Sequence, residues 1–170
     1  MRSILMIGGI VVGAVVLLTV ILVPLVGSQL PSQHTVSRSI VVQRKPAEVY
    51  AVVRDFGSAP SWRSDVRKVE LTTLPGGKVG FREVGSQGTV NYEVSEDVPS
   101  QRLVTRITDT DLGYSGSWTY TFEAEQDATR VTITENGEVS NIVFRFISRF
   151  VFGHTATIDA YLASLSASLR

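Results

Sequence analysis

The chain has 170 residues, carries 16 Lys and Arg against 16 Asp and Glu, and contains no cysteine. Balanced charge without a basic stripe argues against nucleic-acid binding, because neutralising phosphates needs an excess of Lys and Arg. The absence of cysteine excludes a disulfide framework, a thiolate nucleophile and a thiolate zinc site.

The chain opens on Ile4 to Val26, a run of 23 residues without a charge. As a helix this run would measure roughly 35 Å, enough to cross a hydrocarbon core of about 30 Å. Its length predicts an uncleaved transmembrane anchor over residues 1–26. A cleaved signal peptide would have a shorter apolar region and a better small-residue cleavage site than Val26-Gly27-Ser28. Arg2 flanks one end, and the other flank has no Lys or Arg before Arg38, so the positive-inside rule places the remaining domain on the extracytoplasmic side. Gly9 and Gly13 form a G-x-x-x-G spacing that would let two anchors approach for weak self-association; small residues facing lipid are the alternative.

Residues 27–35, GSQLPSQHT, are polar and contain a proline, and read as a linker. The rest, residues 36–170, is the size of one domain. A strand is predicted around Val36–Val42, with Ile40 and Val42 on one face. KPAEVYAVVRDF follows as a helix, with Pro46 at its first position, Glu48 near its amino end, and Val49, Val52, Val53 and Phe56 as its apolar stripe. GSAPSWRSD reads as a turn and a short second helix, capped by Ser58 and offering Trp62 for burial.

From Val66 to about Val139 the period changes to two. Val69, Leu71 and Thr73 alternate, then Phe81–Val84 forms a short strand, and Val90, Tyr92 and Val94 share a face. Leu103, Thr105, Ile107 and Asp109 have one parity. SGSWTYTF places Trp118, Tyr120 and Phe122 together on one side of a strand, and Val131, Ile133 and Glu135 follow. Short alternating strands at this spacing predict an antiparallel meander with one buried face. The last segment returns to helical spacing through Val143, Ile147, Phe150, His154, Ile158, Tyr161, Leu165 and Leu169. Gly153 within it marks either a kink in one long helix or a junction between two. The order of elements is α+β, with helices packed on one face of a curved sheet.

Several phrases in this order, KPAEVYAVVRDFGSAPSWRSDVRKVE, VPSQRLVTRITDT, GSWTYTFEAEQDATRVTITENGEV and IDAYLASLSASL, resemble the superfamily of START domains, polyketide cyclases and birch-pollen-allergen-like proteins (SRPBCC). Its bacterial polyketide cyclase/dehydrase branch is the nearest in pattern. The resemblance covers nearly all of residues 36–169 and none of the anchor. It implies a helix-grip fold, in which the sheet wraps a long carboxy-terminal helix and encloses a hydrophobic cavity. It also implies binding of lipids, sterols, polyketides or other apolar small molecules, with only a minority of members being enzymes.

Catalytic signatures are scarce. There is no nucleophile elbow, no P-loop and no H-E-x-x-H zinc motif, and the two histidines are His34, in the linker, and His154. No cofactor and no metal are implied. His154, on the apolar face of the last helix, is a candidate general base or ligand anchor; the alternative is a histidine satisfied near the kink. Asp109 and Glu135 share parity with apolar neighbours and would form an acid/base pair if both point inwards, whereas at strand ends they would be solvated. Arg145 and Arg149 lie four apart, off the apolar stripe, where they would meet lipid head groups or simply water. The expected cavity walls are Trp62, Tyr92, Ile107, Trp118, Tyr120, Phe146, Phe150 and His154. Three readings follow: a membrane-anchored binder of a hydrophobic small molecule or lipid, a polyketide cyclase/dehydrase-like enzyme, or a tethered interaction module without a ligand.

Overall fold

A computed structural model of the chain describes residues 20–86, 88–147, 149–150 and 155–170. Seven strands form one antiparallel sheet: β1 (Gln33–Val42), β2 (Val66–Thr73), β3 (Val79–Gly85), β4 (Gly88–Val98), β5 (Arg102–Ile107), β6 (Tyr114–Glu125) and β7 (Ala128–Val139). Their order is β1-β7-β6-β5-β4-β3-β2, so β2 to β7 form an unbroken meander and β1 closes onto its last strand. The register shifts between Val66 and Lys68 in β2, and between Val94 and Glu96 in β4. Such shifts bend strands and help a sheet to curve around a helix.

The first and last strands of this order, β1 and β2, are consecutive in sequence. The chain crosses between them through α1 (Pro46–Arg54), a single 3-10 turn at Phe56–Ser58, and α2 (Ala59–Trp62). Proline at the first position of α1 costs no hydrogen bond, and the Lys45 N–H donates to Glu48 Oε2 at 2.9 Å. Spacing of four then brings Val49 and Val53 onto one face, where both are buried against the sheet. Ser58 does precede α2, but its hydroxyl donates back to the Asp55 carbonyl and does not cap the helix.

The carboxy-terminal stretch is not one continuous helix. It comprises α3 (Ile142–Ile147) and α4 (Ala156–Ser168). Gly153 and His154 lie outside the described residues. In α4 the expected stripe is buried through Ile158, Tyr161 and Leu165, joined by Leu162. Val143, placed on the same stripe by spacing, belongs to α3 and is exposed. The core therefore lies between α1, α4 and one face of the sheet, around Val49, Leu103, Val131, Ile133, Ile158 and Leu165.

Of the expected anchor, residues 4–19 lie outside the described residues, as do Gly9 and Gly13. Residues 20–29 are helical, past Pro24. Among the described residues no helix is long and apolar enough to cross a membrane. The stretch 27–35 is divided between the end of this helix and the start of β1 at Gln33, three residues before the expected strand.

Candidate functional site

Along β6 the environment changes with each inward step. Phe122 is buried in the core, where its ring meets Tyr50 edge-on at 5.7 Å. Tyr120 and Trp118 line a cavity of about 530 Å³. In β7 the same boundary falls between Ile133, fully buried, and Glu135, which faces the cavity. The packed core thus gives way to open space towards the amino end of β6, roofed by α2 and α4.

Tyr161 of α4 is the hub of the walls. Its ring lies 5.3 Å from Trp62, 5.7 Å from Trp118 and 5.6 Å from Tyr120, centroid to centroid. Opposite, Phe56, Phe81 and Tyr92 stack in sequence at 4.1 and 4.8 Å. Each close ring pair adds about 0.5–1.5 kcal/mol beyond its buried area, which makes this a stiff apolar surface.

Asp55 and Glu138 border the cavity, and two further charged groupings enter it. The Arg63 guanidinium, 5.1 Å from the Tyr161 ring, donates to Glu83 at 2.8 and 3.1 Å and to Asp65 Oδ2 at 2.6 Å. Burial alone would lower the pKa of Arg63, but its hydrogen bonds and charge attraction to Asp65 and Glu83 outweigh that and hold it above the ordinary arginine value. Beside it, the buried Trp62 Nε1 has no hydrogen-bond partner among the described residues. An indole N–H in this position normally finds an acceptor, so this one is an uncompensated buried donor.

The second polar place is Glu135. Its Oε1 pairs with His34 Nε2 at 3.1 Å, and its Oε2 accepts from Trp118 Nε1 at 2.9 Å. The His34 ring packs directly against residue 137, which only glycine allows: a Cβ there would come within 2.3 Å of it. His34 therefore belongs to β1 and to the cavity, not to a linker. Among the described residues no three His, Asp or Glu side chains gather as metal ligands.

Of the expected wall residues, Trp62, Tyr92, Ile107, Trp118 and Tyr120 do line this cavity. Phe146 and Phe150 do not. They belong to the segment of α3 rather than to α4, and their rings pack on one another at 4.9 Å with Phe150 exposed. His154 lies outside the described residues. Asp109 is also elsewhere: β5 ends at Ile107, so alternation no longer controls its side chain. It accepts from the Asn91 backbone and side chain, both at 2.7 Å, and borders a separate, more open hollow. Arg145 donates to the backbone carbonyls of Val139, Ser140 and Leu30 rather than pointing away as a free cation.

Sequence reasoning missed Arg63, Glu83, His34 and Tyr161 as wall residues, yet a signal existed for three of them. Glu83 has the parity of Phe81, His34 has the parity of Val36, Ile40 and Val42, and Tyr161 sits on the helical stripe. Arg63 follows the end of α2, where no periodicity points.

All five tyrosines are held above their ordinary value near 10, burial being the largest cause for each; the Asp97 and Asp109 carboxylates add to it at Tyr50 and Tyr114. A raised tyrosine contributes stability that is complete below about pH 10 and is lost as pH rises further, because the unfolded chain releases its proton first. Each buried phenol then costs up to about 1.4 kcal/mol per pH unit. The native protein is expected to show little phenolate absorbance up to about pH 10, and the signal should rise together with the loss of native fluorescence. A tyrosine titrating at its ordinary value while the fold persists would contradict this.

A family model described as polyketide cyclase / dehydrase and lipid transport matches residues 33–169. Three similar solved structures are a START superfamily protein from Mycobacterium smegmatis, Zhui aromatase/cyclase from Streptomyces sp. R1128, and norcoclaurine synthase from Thalictrum flavum. The first is 16% identical, with 80% of this chain and 97% of that one covered and a TM-score of 0.64. The second is 14% identical, covers 81% and 93%, and has a TM-score of 0.65. The third is 11% identical, covers 80% and 86%, and has a TM-score of 0.61. At these identities the likeness is one of fold. No functionally curated protein matches the chain.

Proposed function

Since the chain belongs to the polyketide cyclase / dehydrase and lipid transport family, we propose that it is a membrane-anchored binding protein that holds a neutral, hydrophobic small molecule or lipid in its cavity. The observation that carries this reading is the cavity itself, about 530 Å³ and walled by Trp62, Tyr92, Trp118, Tyr120 and Tyr161. That volume suits a ligand of drug or lipid-fragment size, and desolvating its apolar surface contributes about 25 cal/mol per Å². The charges favour neutrality. One guanidinium faces Glu83 and Asp65, and Asp55, Glu135 and Glu138 add three more carboxylates to the lining, so an anionic head group would meet net repulsion. The uncharged run Ile4–Val26 supports the anchor and, with Arg2, an extracytoplasmic domain.

Native mass spectrometry of the full chain released from detergent tests the reading. A bound neutral apolar molecule is expected; a chain that repeatedly emerges without one, or with fatty-acid anions alone, would sink it.

The pairing of His34 with Glu135 on the wall favours a second reading, acid/base chemistry on a polyketide-like substrate. Under that reading Glu135→Gln should accumulate a bound compound differing in mass from the one in the parent protein. Identical bound species in both proteins would leave binding as the whole function.

A further inference from the structure

Eight of the eleven exposed large hydrophobic side chains among the described residues lie on two short segments, 20–25 and 142–150. Leu22 and Leu25 are 47% and 57% exposed on the first; Ile142, Val143 and Phe144 are 41%, 43% and 37% exposed on the second. Single exposed apolar residues are ordinary on a protein surface, but two adjoining clusters of them mark a contact site.

The two segments adjoin through backbone. Gly27 is buried against the start of α3, and a Cβ built there would stand 2.2 Å from the Ile142 carbonyl oxygen. Arg145 clamps the junction by donating to Val139 O at 2.6 Å and to Leu30 O at 3.4 Å. Asn141 Oδ1 accepts from the Phe144 N–H at 2.9 Å and starts the helix. The end of the helix 20–29 and α3 thus form one apolar platform, and Phe144 belongs to the cavity as well. Its ring stacks on Tyr114 at 5.9 Å and lines the wall.

We propose that the face formed by Leu22, Leu25, Ile142, Val143 and Phe144 is seated in the lipid bilayer, so that the Phe144 rim of the cavity opens towards lipid. The proposal rests on the anchored reading above and adds which face of the domain the membrane covers. The occupant follows from the chain itself: the uncharged run Ile4–Val26 leads directly into this platform. A domain tied at Gly27 to the end of a membrane helix cannot lift α3 away from the head groups while the Gly27–Ile142 contact holds. Apolar side chains so placed sink about 5–10 Å below the headgroup boundary. An apolar ligand then passes between bilayer and cavity beside Phe144 without crossing water.

The absence of cysteine makes the test direct, because a single introduced cysteine is the only labelling site. The full chain carrying Leu22→Cys, Val143→Cys or Leu71→Cys is labelled with a polarity-sensitive fluorophore. It is then reconstituted in phosphatidylcholine/phosphatidylglycerol vesicles with and without doxyl-labelled lipid. Leu71 is 63% exposed on β2 and serves as the control. Quenching at positions 22 and 143 several-fold above that at 71 is expected. Quenching at 22 with none beyond control at 143 overturns this proposal and leaves the anchor standing. Control-level quenching at both overturns the anchor and the proposal together. A blue-shifted label at 143 that ignores doxyl lipid but responds to protein density assigns the face to a second copy, and also overturns it.

Discussion

Replacing Arg63 with methionine is expected to lower the stability of the folded domain by about 3 kcal/mol. The side chain is 12% exposed and its partner Glu83 is 16% exposed, so removing the cation strands a carboxylate away from water. Breaking a buried pair from one side costs about 3–5 kcal/mol, and the lower end applies because Asp65 is half exposed and rehydrates. The double variant Arg63→Met/Glu83→Leu should recover most of the loss, since both desolvation penalties disappear with the charges. Both of the chain's tryptophans line the cavity, so their fluorescence during chemical denaturation reports the site directly. A loss under about 1 kcal/mol for the single variant would mean that the pair behaves as a surface ion pair.

Trp118→Ala should abolish ligand capture while costing less than the about 3–5 kcal/mol of a core tryptophan. Its ring borders the cavity and touches Tyr120 and Tyr161, so truncation enlarges space that is already open. It also frees Glu135 Oε2 of its indole donor. Leu103→Ala is the counterpart. Leu103 is fully buried and lies opposite Tyr120 in the β5–β6 register. Its truncation should cost about 3 kcal/mol or more with capture retained at temperatures where the domain stays folded. If both variants lose ligand only in proportion to lost stability, Trp118 has no special part in binding.

The contrast between these two residues shows where periodicity stops being informative. Alternation alone places Trp118, Tyr120 and Phe122 on one face, and they do share it. Whether a side chain on that face meets another side chain or open space depends on what lies opposite. Phe122 meets Tyr50 of α1, whereas Trp118 and Tyr120 border the space beneath α4. The same limit separates Glu135 from Asp109. Glu135 is inside β7, where the ladder holds its parity, while Asp109 lies two residues beyond β5 and turns to Asn91.

The order of strands and helices, the α+β class and most of the inward faces were readable from the chain alone, because they follow from local periodicity, proline and glycine placement, and helix-end chemistry. The helix stripe was right for α4 and wrong for Val143 and Phe150, since equal spacing cannot reveal that the segment forms two separate helices. Tertiary structure alone decided the rest. It brought Arg63 from the end of α2 onto Glu83 of β3 and laid His34 over Gly137. Those partners lie 20 and 103 residues apart in the chain. Their meeting depends on sheet register and on which helix roofs which strand, and neither is encoded in any short stretch of sequence.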